Sequence, residues 1–248
     1  MAEDKKKRNG VIHLLPVGSF EFHGNSIPLD IDTVIAAGVS EHLFINLQTV
    51  FTEIHLLPVL PFGVSLEHRF NRAWSVDSES YISFLKKGIK EYALTFGEGI
   101  EIFVLINAHG GNLPSLNAVE QDLNHSIFTN KRQRILALHV YSQKVQQRAE
   151  HIFGSFDTHG GSVEFSLYEL FKKTKLDLSH LNIAQGVKKF SQSLRFFSLS
   201  ELNDSGLVLD HKKIIIDPIK AKQLLSFMTK CLIQNIVELY EKIQILYE

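Results

Sequence analysis

The chain has 248 residues, with 26 Lys and Arg against 27 Asp and Glu, a formal net charge of −1 with histidine neutral, and 44% hydrophobic residues. Its length suits a single α/β domain with a full core, and its balanced charge argues against a partner held mainly through phosphate contacts, such as a nucleic acid. No stretch approaches the roughly 18 apolar residues of a membrane span, and the single cysteine, Cys231, fits a reducing compartment, so we expect a cytoplasmic protein.

The first residues of the chain are charged rather than apolar. Residues 1–10 lack the apolar segment of a signal peptide, so we expect them to form a flexible charged tail. Residues 11–248 contain no internal repeat, no low-complexity segment and no convincing linker, so they are expected to fold as one domain.

Short apolar runs mark the predicted strands. They alternate with longer helical patterns, which is typical of βαβ units around a mostly parallel sheet. The run at 101–107 is apolar on both faces, so it is expected at the centre of the sheet, covered on both sides. The predicted strands are 11–17, 54–59, 101–107 and 135–140.

The helical patterns carry apolar residues three and four positions apart. Asn112 is expected to cap the third helix and Asp217 the last one, because both side chains can accept a hydrogen bond from the first turn. Residues 190–216 are expected to form a long loop or an inserted hairpin. The predicted helices are 31–46, 78–96, 112–128 and 218–247.

Histidine is abundant, with 12 residues, and several histidines stand near carboxylates in three short segments. The segment 18–32 follows the first predicted strand, 107–112 follows the central one, and the third segment is 157–166. Open α/β sheets bind ligands at the carboxyl ends of their strands, so the first two segments can converge. The candidate side chains are Glu21, His23, Asp32, His109, His159 and Glu164.

Imidazoles and carboxylates without thiolates indicate a hydrolytic metal site, with Zn, Mn or Fe as candidates. Each element of the pattern also has a simpler explanation. Glu21 and His23 are two residues apart and could form a surface ion pair, and His109 at a strand end could simply be hydrogen-bonded. The combination of the three segments favours the metal site.

Four sequence blocks follow one another in a specific order and spacing. They are LPVGSFEFHG at 15–24, PLDID at 28–32, NAHGGN at 107–112 and DTHGGSVEFS at 157–166. Together they resemble the creatininase family of metal-dependent amidohydrolases, over residues 11–172. A weaker similarity is DPIKA at 217–221, before the last predicted helix.

The resemblance implies a three-layer α/β/α sandwich that binds two divalent metal ions. The family commonly forms cyclic or dihedral assemblies, so a homo-oligomer, such as a hexamer, is also implied. By position, Glu21 and His109 would hold one ion, His23 and Glu164 the other, and Asp32 would bridge both.

The resemblance also implies a reaction. Two ions close together lower the pKa of a shared water, which can attack an amide carbon, and His159 would serve as the acid–base group that protonates the departing nitrogen. The leading expectation is therefore a hydrolase of a linear or cyclic C–N bond in a small-molecule amide, other than a peptide bond of a folded protein.

Departures from the family pattern argue against creatinine as the substrate. Members that open creatinine tend to carry a carboxylate where this chain has Gly111, and a Trp shortly before the fourth block, where this chain has Phe153 and Phe156. The only tryptophan, Trp74, stands elsewhere, in a loop where many relatives carry Pro-Gly-Thr and this chain does not.

In lacking Pro-Gly-Thr, the chain looks more like the archaeal branch that removes a formyl group from a ribosylaminopyrimidine phosphate in flavin and deazaflavin synthesis. Arg69 and Arg72 would suit a phosphate, but the simpler interpretation, that both are ordinary loop arginines, is favoured. His68 and Trp74, in the same loop, are further candidate substrate contacts.

Two other functions stay open at this point. A non-catalytic metal-binding or assembly paralogue could use its closing helix as an interaction face. One branch of the same family instead matures a peptide by cutting near its terminus, which needs an open groove. Neither a nucleophile elbow nor a phosphate-binding glycine motif is present to favour a different hydrolase or a nucleotide cofactor.

Overall fold

A four-stranded parallel sheet forms the centre of the fold. The computed structural model describes residues 7–68, 71–157, 159–181, 207, 209 and 213–247. The strands are β1 (Arg8–Val17), β2 (Phe51–Leu56), β3 (Ile100–Asn107) and β4 (Gln133–His139). Their order in the sheet is β2-β1-β3-β4, so β1 and β3 lie side by side in the middle. The predicted parallel sheet with β3 at its centre is confirmed.

Helices cover both faces of the sheet. One face packs on α1, α4, α5 and α6, and the other packs on α2 and α3. The three-layer α/β/α sandwich is therefore confirmed. The helices are α1 (Ile31–Leu47), α2 (Ser78–Tyr92), α3 (Leu113–Ser126), α4 (Gln143–Phe153), α5 (Ser162–Lys172) and α6 (Pro218–Tyr247).

Alternating side chains of β3 enter the two cores. Ile102 and Val104 point into the core beneath α1, α5 and α6, while Phe103 and Leu105 point into the core beneath α2 and α3. All eight residues of β3 are buried, as the uninterrupted apolar run predicts. The strand is thereby fixed in depth and register, which determines where the loop after Asn107 begins.

The start of β1 corrects the expected tail. Arg8 pairs with Phe51, and Gly10 pairs with Ile100, so the prediction of a flexible tail over residues 1–10 is wrong for residues 8–10. The hydrogen bonds of two neighbouring strands extend the sheet beyond the apolar run that marks the strand in the sequence.

The two predicted helix caps have different outcomes. The backbone N–H groups of Ile219 and Lys220 donate to Asp217 Oδ1 at 3.0 Å each, so the cap of α6 is confirmed. Asn112 does not cap α3; it lies in a 3-10 turn, and its carboxamide binds other loops instead. Residues 190–216 lie outside the described residues apart from 207, 209 and 213–216.

The long closing helix α6 is a core element. Its apolar stripe, including Leu224, Met228, Leu232 and Ile236, is buried against α1, α4 and α5. Among the described helices, none combines the length and the apolar character that crossing a bilayer would require.

Candidate metal centre

The candidate side chains meet at the carboxyl edge of the sheet. Val17 at the end of β1 is in register with Asn107 at the end of β3, so the two following loops start side by side. The loop after β1 carries Glu21 and His23 and leads into α1, whose second residue is Asp32. The loop after β3 carries His109. The parallel topology thus brings together residues that are distant in the sequence, as expected for an open α/β sheet.

Asn112 connects three of these loops. Its Oδ1 accepts a hydrogen bond from Val64 N at 2.8 Å, and its Nδ2 donates to Gly18 O at 2.9 Å and to Asn107 Oδ1 at 3.2 Å. The side chain is completely buried. Asn112 therefore fixes the segment around residue 64 and the loop after β1 against the loop after β3.

Glu21, Asp32 and His109 form the tightest cluster of possible metal ligands. His109 Nδ1 lies 3.2 Å from Glu21 Oε2 and 3.2 Å from Asp32 Oδ2. One ligand atom from each of the three side chains fits within 4.8 Å of the others, and all three residues are buried. The structure brings together these predicted ligands from two loops and a helix.

The orientation of His109 suits a metal ligand. Its Nε2 lies 2.9 Å from Val64 O, so an N–H at this nitrogen donates to the backbone carbonyl. The other nitrogen, Nδ1, faces the two carboxylates, and a bound cation would take the place of its proton. Metal-ligating histidines commonly donate their second ring N–H to a carbonyl or a carboxylate in this way. The donor set and the ring orientation both fit a divalent cation.

His23 is oriented by the same kind of contact. Its Nδ1 lies 3.1 Å from Glu21 O, while its Nε2 is buried without a hydrogen-bond partner. That Nε2 is 3.7 Å from Asp32 Oδ1 and 3.9 Å from Glu164 Oε2. Asp32 therefore turns one oxygen toward His109 and the other toward His23.

The start of α5 supplies Glu164, and the segment before it supplies His159. Ser162 N donates to Asp157 Oδ2 at 3.0 Å, and Gly160 N donates to Glu164 Oε2 at 2.7 Å. These bonds fix the turn between the two candidate residues. Neither α4 nor α5 was predicted from the sequence, so this turn was not predicted either.

His159 lies between the carboxylates and the other imidazoles. Its Nε2 is 2.9 Å from Phe22 O, its Nδ1 is 3.5 Å from Glu21 Oε1, and its ring stacks on that of His23 at 4.3 Å. Burial and the neighbouring His68 lower the pKa of His159 to about 4. Its imidazole is therefore neutral near neutral pH.

Buried carboxylates dominate the electrostatics. Burial, and then the charge of Asp32, raises the pKa of Glu164 well above its ordinary value, and burial followed by the charge of Glu21 raises that of Asp32. Burial alone would lower the pKa of His109, but Glu21 and Asp32 together raise it well above 6.5. Within the described part of the chain, the residues lining the cavity include neither lysine nor arginine. A divalent cation would supply the positive charge that this cluster lacks.

The cavity over the cluster is small. It has a volume of about 200 Å³ and is lined by Asp32, Glu67, His68, Ala108, His109, Gly110, Gly111, His159 and Glu164. Pockets for drug-sized ligands are larger, about 300–1,000 Å³. The cavity therefore suits a small group beside the candidate ligands.

The tentative substrate contacts lie in different places. His68 is buried in the cavity, with Nε2 3.5 Å from Glu21 Oε1. Arg72 lines a neighbouring cavity formed largely by residues 22–29, and Trp74 is 72% exposed. Arg69 lies outside the described residues. The structure thus brings His68, but neither Arg72 nor Trp74, to the gathered ligands.

Sequence reasoning missed three contributors to the site. Ser19 Oγ donates to Glu21 Oε2 at 2.7 Å, Asn112 joins the loops, and Glu67 enters the cavity with an oxygen 3.8 Å from His109 Nε2. Glu67 stands beside His68 in a 3-10 turn, and this Glu-His pair was the only sequence signal for it.

Comparisons with known proteins agree with this architecture. The family model for creatininase, described as creatinine amidohydrolase, matches residues 1–236. A solved structure of the manganese form of creatininase superposes with a TM-score of 0.73 at 16% identity, covering 93% of this chain and 91% of that one. A second creatinine amidohydrolase structure also has a TM-score of 0.73 at 16% identity, covering 96% and 92%. At these identities the likeness shows the fold.

Two curated relatives share parts of the sequence. The mycofactocin precursor peptide peptidase of Mycobacterium ulcerans (strain Agy99) is 31% identical over 115 residues, which are 44% of this chain and 44% of the relative. The 2-amino-5-formylamino-6-ribosylaminopyrimidin-4(3H)-one 5'-monophosphate deformylase of Methanococcus maripaludis (strain C5 / ATCC BAA-1333) is 29% identical over 147 residues, 58% of this chain and 59% of the relative. The chain thus matches less than two thirds of the length of each.

The fold is the three-layer α/β/α architecture of the solved creatininase structures. Because the family model matches nearly the whole chain, the chain belongs to the creatininase family. The resemblance carried by the four sequence blocks is thereby confirmed.

Proposed function

We propose that the protein hydrolyses the C–N bond of a small-molecule amide with the help of two divalent metal ions. The observation that carries this proposal is the buried cluster of Glu21, Asp32 and His109, in which His109 turns its Nδ1 toward two carboxylates. Such a cluster is costly without a cation, because buried like charges repel each other and lose their hydration.

Two sets of ligands share Asp32. Glu21 and His109 would hold one ion, and His23 and Glu164 the other. Asp32 lies between them, with Oδ2 3.2 Å from His109 Nδ1 and Oδ1 3.7 Å from His23 Nε2, as a bridging carboxylate requires. When bound, the divalent cations would polarise the amide carbonyl and lower the pKa of the attacking water. Zn, Mn and Fe all suit this donor set.

His159 is proposed as the acid–base group. It lines the cavity, and its Nδ1 faces Glu21 Oε1 at 3.5 Å, while its Nε2–H donates to Phe22 O. A neutral imidazole held in this orientation can accept the proton that the water loses and pass it to the departing amide nitrogen. The C–N bond breaks as the water oxygen bonds to the carbonyl carbon, which gives a carboxylate and an amine.

A metal-reconstituted hydrolysis screen tests the proposal. The protein is stripped with a chelator, reloaded separately with Zn²⁺, Mn²⁺ or Fe²⁺, and offered small amides that include creatinine, formamidopyrimidines and short peptides. Ammonia, amine, formate and carboxylate release are measured separately. We expect hydrolysis of a small amide that chelation abolishes and reloading restores.

A pair of neighbouring variants makes the screen specific. Asp32→Asn should abolish hydrolysis, since the proposed bridging charge is lost. Asp30→Asn changes the same side-chain type two residues away, where Asp30 lies near Lys172 at 3.4 Å and outside the cluster, so it should retain activity. Metal-loaded protein that hydrolyses no amide would support a non-catalytic paralogue, and cleavage of peptides alone would support terminal peptide processing; both results contradict the proposal.

Formamide hydrolysis is a second, narrower candidate. The deformylase relative, matched over 147 residues, favours it, as does the placement of Arg72 beside the segment that carries His23. Formate release from a phosphorylated formamidopyrimidine should fall strongly in Arg69→Ala or Arg72→Ala. Arg148→Ala is the control, because this arginine lies on α4 and packs over Phe227 of α6. No formate from this class of substrate would reject this candidate and leave the broader amide proposal intact.

A further inference from the structure

Glu21 turns its two oxygens toward different partners. Its Oε2 faces His109 and accepts the hydrogen bond from Ser19, whereas its Oε1 is buried without a hydrogen-bond partner. That second oxygen lies 3.5 Å from His68 Nε2. The same oxygen lies 3.5 Å from His159 Nδ1, and the cluster that contains His109 uses the other oxygen of Glu21.

Glu67 and His68 complete a separate group around this oxygen. One ligand atom each from Glu21, Glu67 and His68 lies within 4.8 Å of the others. His68 is 2% exposed, and its Nδ1 is buried without a hydrogen-bond partner. The group combines two carboxylates and an imidazole, the ligand types of Zn²⁺ and Mn²⁺ sites.

The glycine at position 111 allows Glu67 to enter the cavity. A Cβ added to Gly111 would come within 3.1 Å of Glu67 Oε1, and it would also collide with Val64 O and the ring of His109. Any side chain at this position would thus displace the segment that carries Glu67. The carboxylate of Glu67 thus reaches the cavity from the 3-10 turn at Leu66–His68.

These groups are close enough for ion pairs, but hydrogen bonds do not account for their arrangement. Glu67 Oε1 lies 3.8 Å from His109 Nε2, beyond hydrogen-bond range, and that nitrogen already donates to Val64 O. His68 Nε2 is likewise 3.5 Å from Glu21 Oε1. These separations leave the oxygens and the nitrogen around a common point rather than bonded to each other.

We propose that Glu67, His68 and Oε1 of Glu21 form a third divalent-cation position, next to the two ions of the proposed function. The inference depends on that function because Glu21 is shared. Repulsion from two neighbouring ions makes the third position the weakest, filled after the others. Glu21 would then bridge this ion to the one held with His109, as Asp32 bridges the other two.

Metal titration of the whole chain tests the inference without measuring activity. Chelator-stripped protein is titrated with Mn²⁺ and with Zn²⁺, and bound metal is counted by calorimetry and by elemental analysis after desalting. The wild type should bind three equivalents at saturation. Glu67→Gln and His68→Gln should each lose one equivalent or weaken the weakest site at least tenfold, and leave the two tighter sites within threefold.

A matched control separates a ligand from a general charge effect. Glu53 also lies beside a histidine, with Oε1 2.7 Å from His55 Nε2, but the pair is exposed on β2. Glu53→Gln should leave the titration unchanged, and circular dichroism melts show that each variant is folded.

The two proposals fail in different ways. Three results would overturn the third position and leave the dinuclear proposal standing. In the first, Glu67→Gln and His68→Gln both keep three sites of unchanged affinity; in the second, all sites weaken together in these variants. In the third, the wild type and both variants each bind only two equivalents. No metal bound by the wild type would overturn both.

Discussion

Replacing Asn112 by alanine should destabilise the candidate site without touching a proposed ligand. The carboxamide forms hydrogen bonds with backbone groups of two other loops, at Val64 and Gly18. The loop at Val64 positions Glu67 and His68, and the loop at Gly18 positions Glu21 and His23. Alanine removes these bonds and leaves the 3-10 turn and α3 free to form. The perturbation therefore tests whether the loops depend on each other.

The magnitude follows from the groups that lose their partners. Asn112→Ala leaves the buried Val64 N–H and Gly18 carbonyl unsatisfied. Each such group costs about 1–3 kcal/mol, so the loss in the free energy of unfolding is about 2–6 kcal/mol. This is a large part of the roughly 5–15 kcal/mol that stabilises a typical domain. Metal affinity should fall at least tenfold as well, because the ligand loops lose their common attachment.

Urea unfolding of the metal-free protein and metal calorimetry measure the two effects. The matched control is Asn124→Ala, since Asn124 also binds one N–H and one carbonyl, both of Ile135 on β4, far from the ligands. The control should lose stability with metal affinity unchanged. A stability loss below about 1 kcal/mol for Asn112→Ala, or equal metal affinities in the two variants, would refute this reasoning.

Three other outcomes are expected. Burial lowers the pKa of His139 to about 4, so the folded protein binds fewer protons than the unfolded chain between pH 4 and 6.5. The free energy of unfolding therefore has its full value above pH 6.5 and falls by up to about 3 kcal/mol as the pH drops toward 4. His139→Gln should flatten this dependence in urea unfolding with chelator present, and an unchanged slope would contradict it. Added metal should raise the melting temperature, and chelator should reverse this rise. At a free metal concentration of 100 times the Kd, the stabilisation should be about 2.7 kcal/mol. A melting temperature that does not change with metal would contradict the proposed centre. Gly38→Ala would push a Cβ into the ring of Phe171, between α1 and α5, and should cost about 1–3 kcal/mol in urea unfolding, whereas Gly88→Ala, which meets open space, should not destabilise.

The sheet could be predicted from the sequence because its strands are short apolar runs between polar turns. The run at 101–107 is apolar on both faces, which is why it was predicted at the centre, and the strand Ile100–Asn107 is buried throughout. Residues 8–10 could not be assigned in this way, since their place in β1 depends on pairing with β2 and β3 rather than on their own polarity. Helix α4 precedes the fourth sequence block and α5 begins within it, and neither helix was predicted.

The candidate ligands could be proposed from sequence because His and carboxylate side chains follow β1 and β3, whose carboxyl ends meet in a parallel sheet. The roles of Asn112 and Glu67 could not. Asn112 stands where a helix cap is common, and only the fold shows that its amide reaches Gly18 and Val64 instead. Glu67 reaches the cavity because Gly111, 44 positions later, leaves room for it, which no local pattern records.

Anomalous diffraction from crystals of the metal-loaded protein tests the central claim most directly. The account predicts strong peaks within about 2.0–2.3 Å of ligand atoms from Glu21, Asp32 and His109, and of His23 and Glu164, with Asp32 between two of the ions. Loaded crystals with no anomalous peak at these side chains, or with peaks only at surface residues, would contradict it.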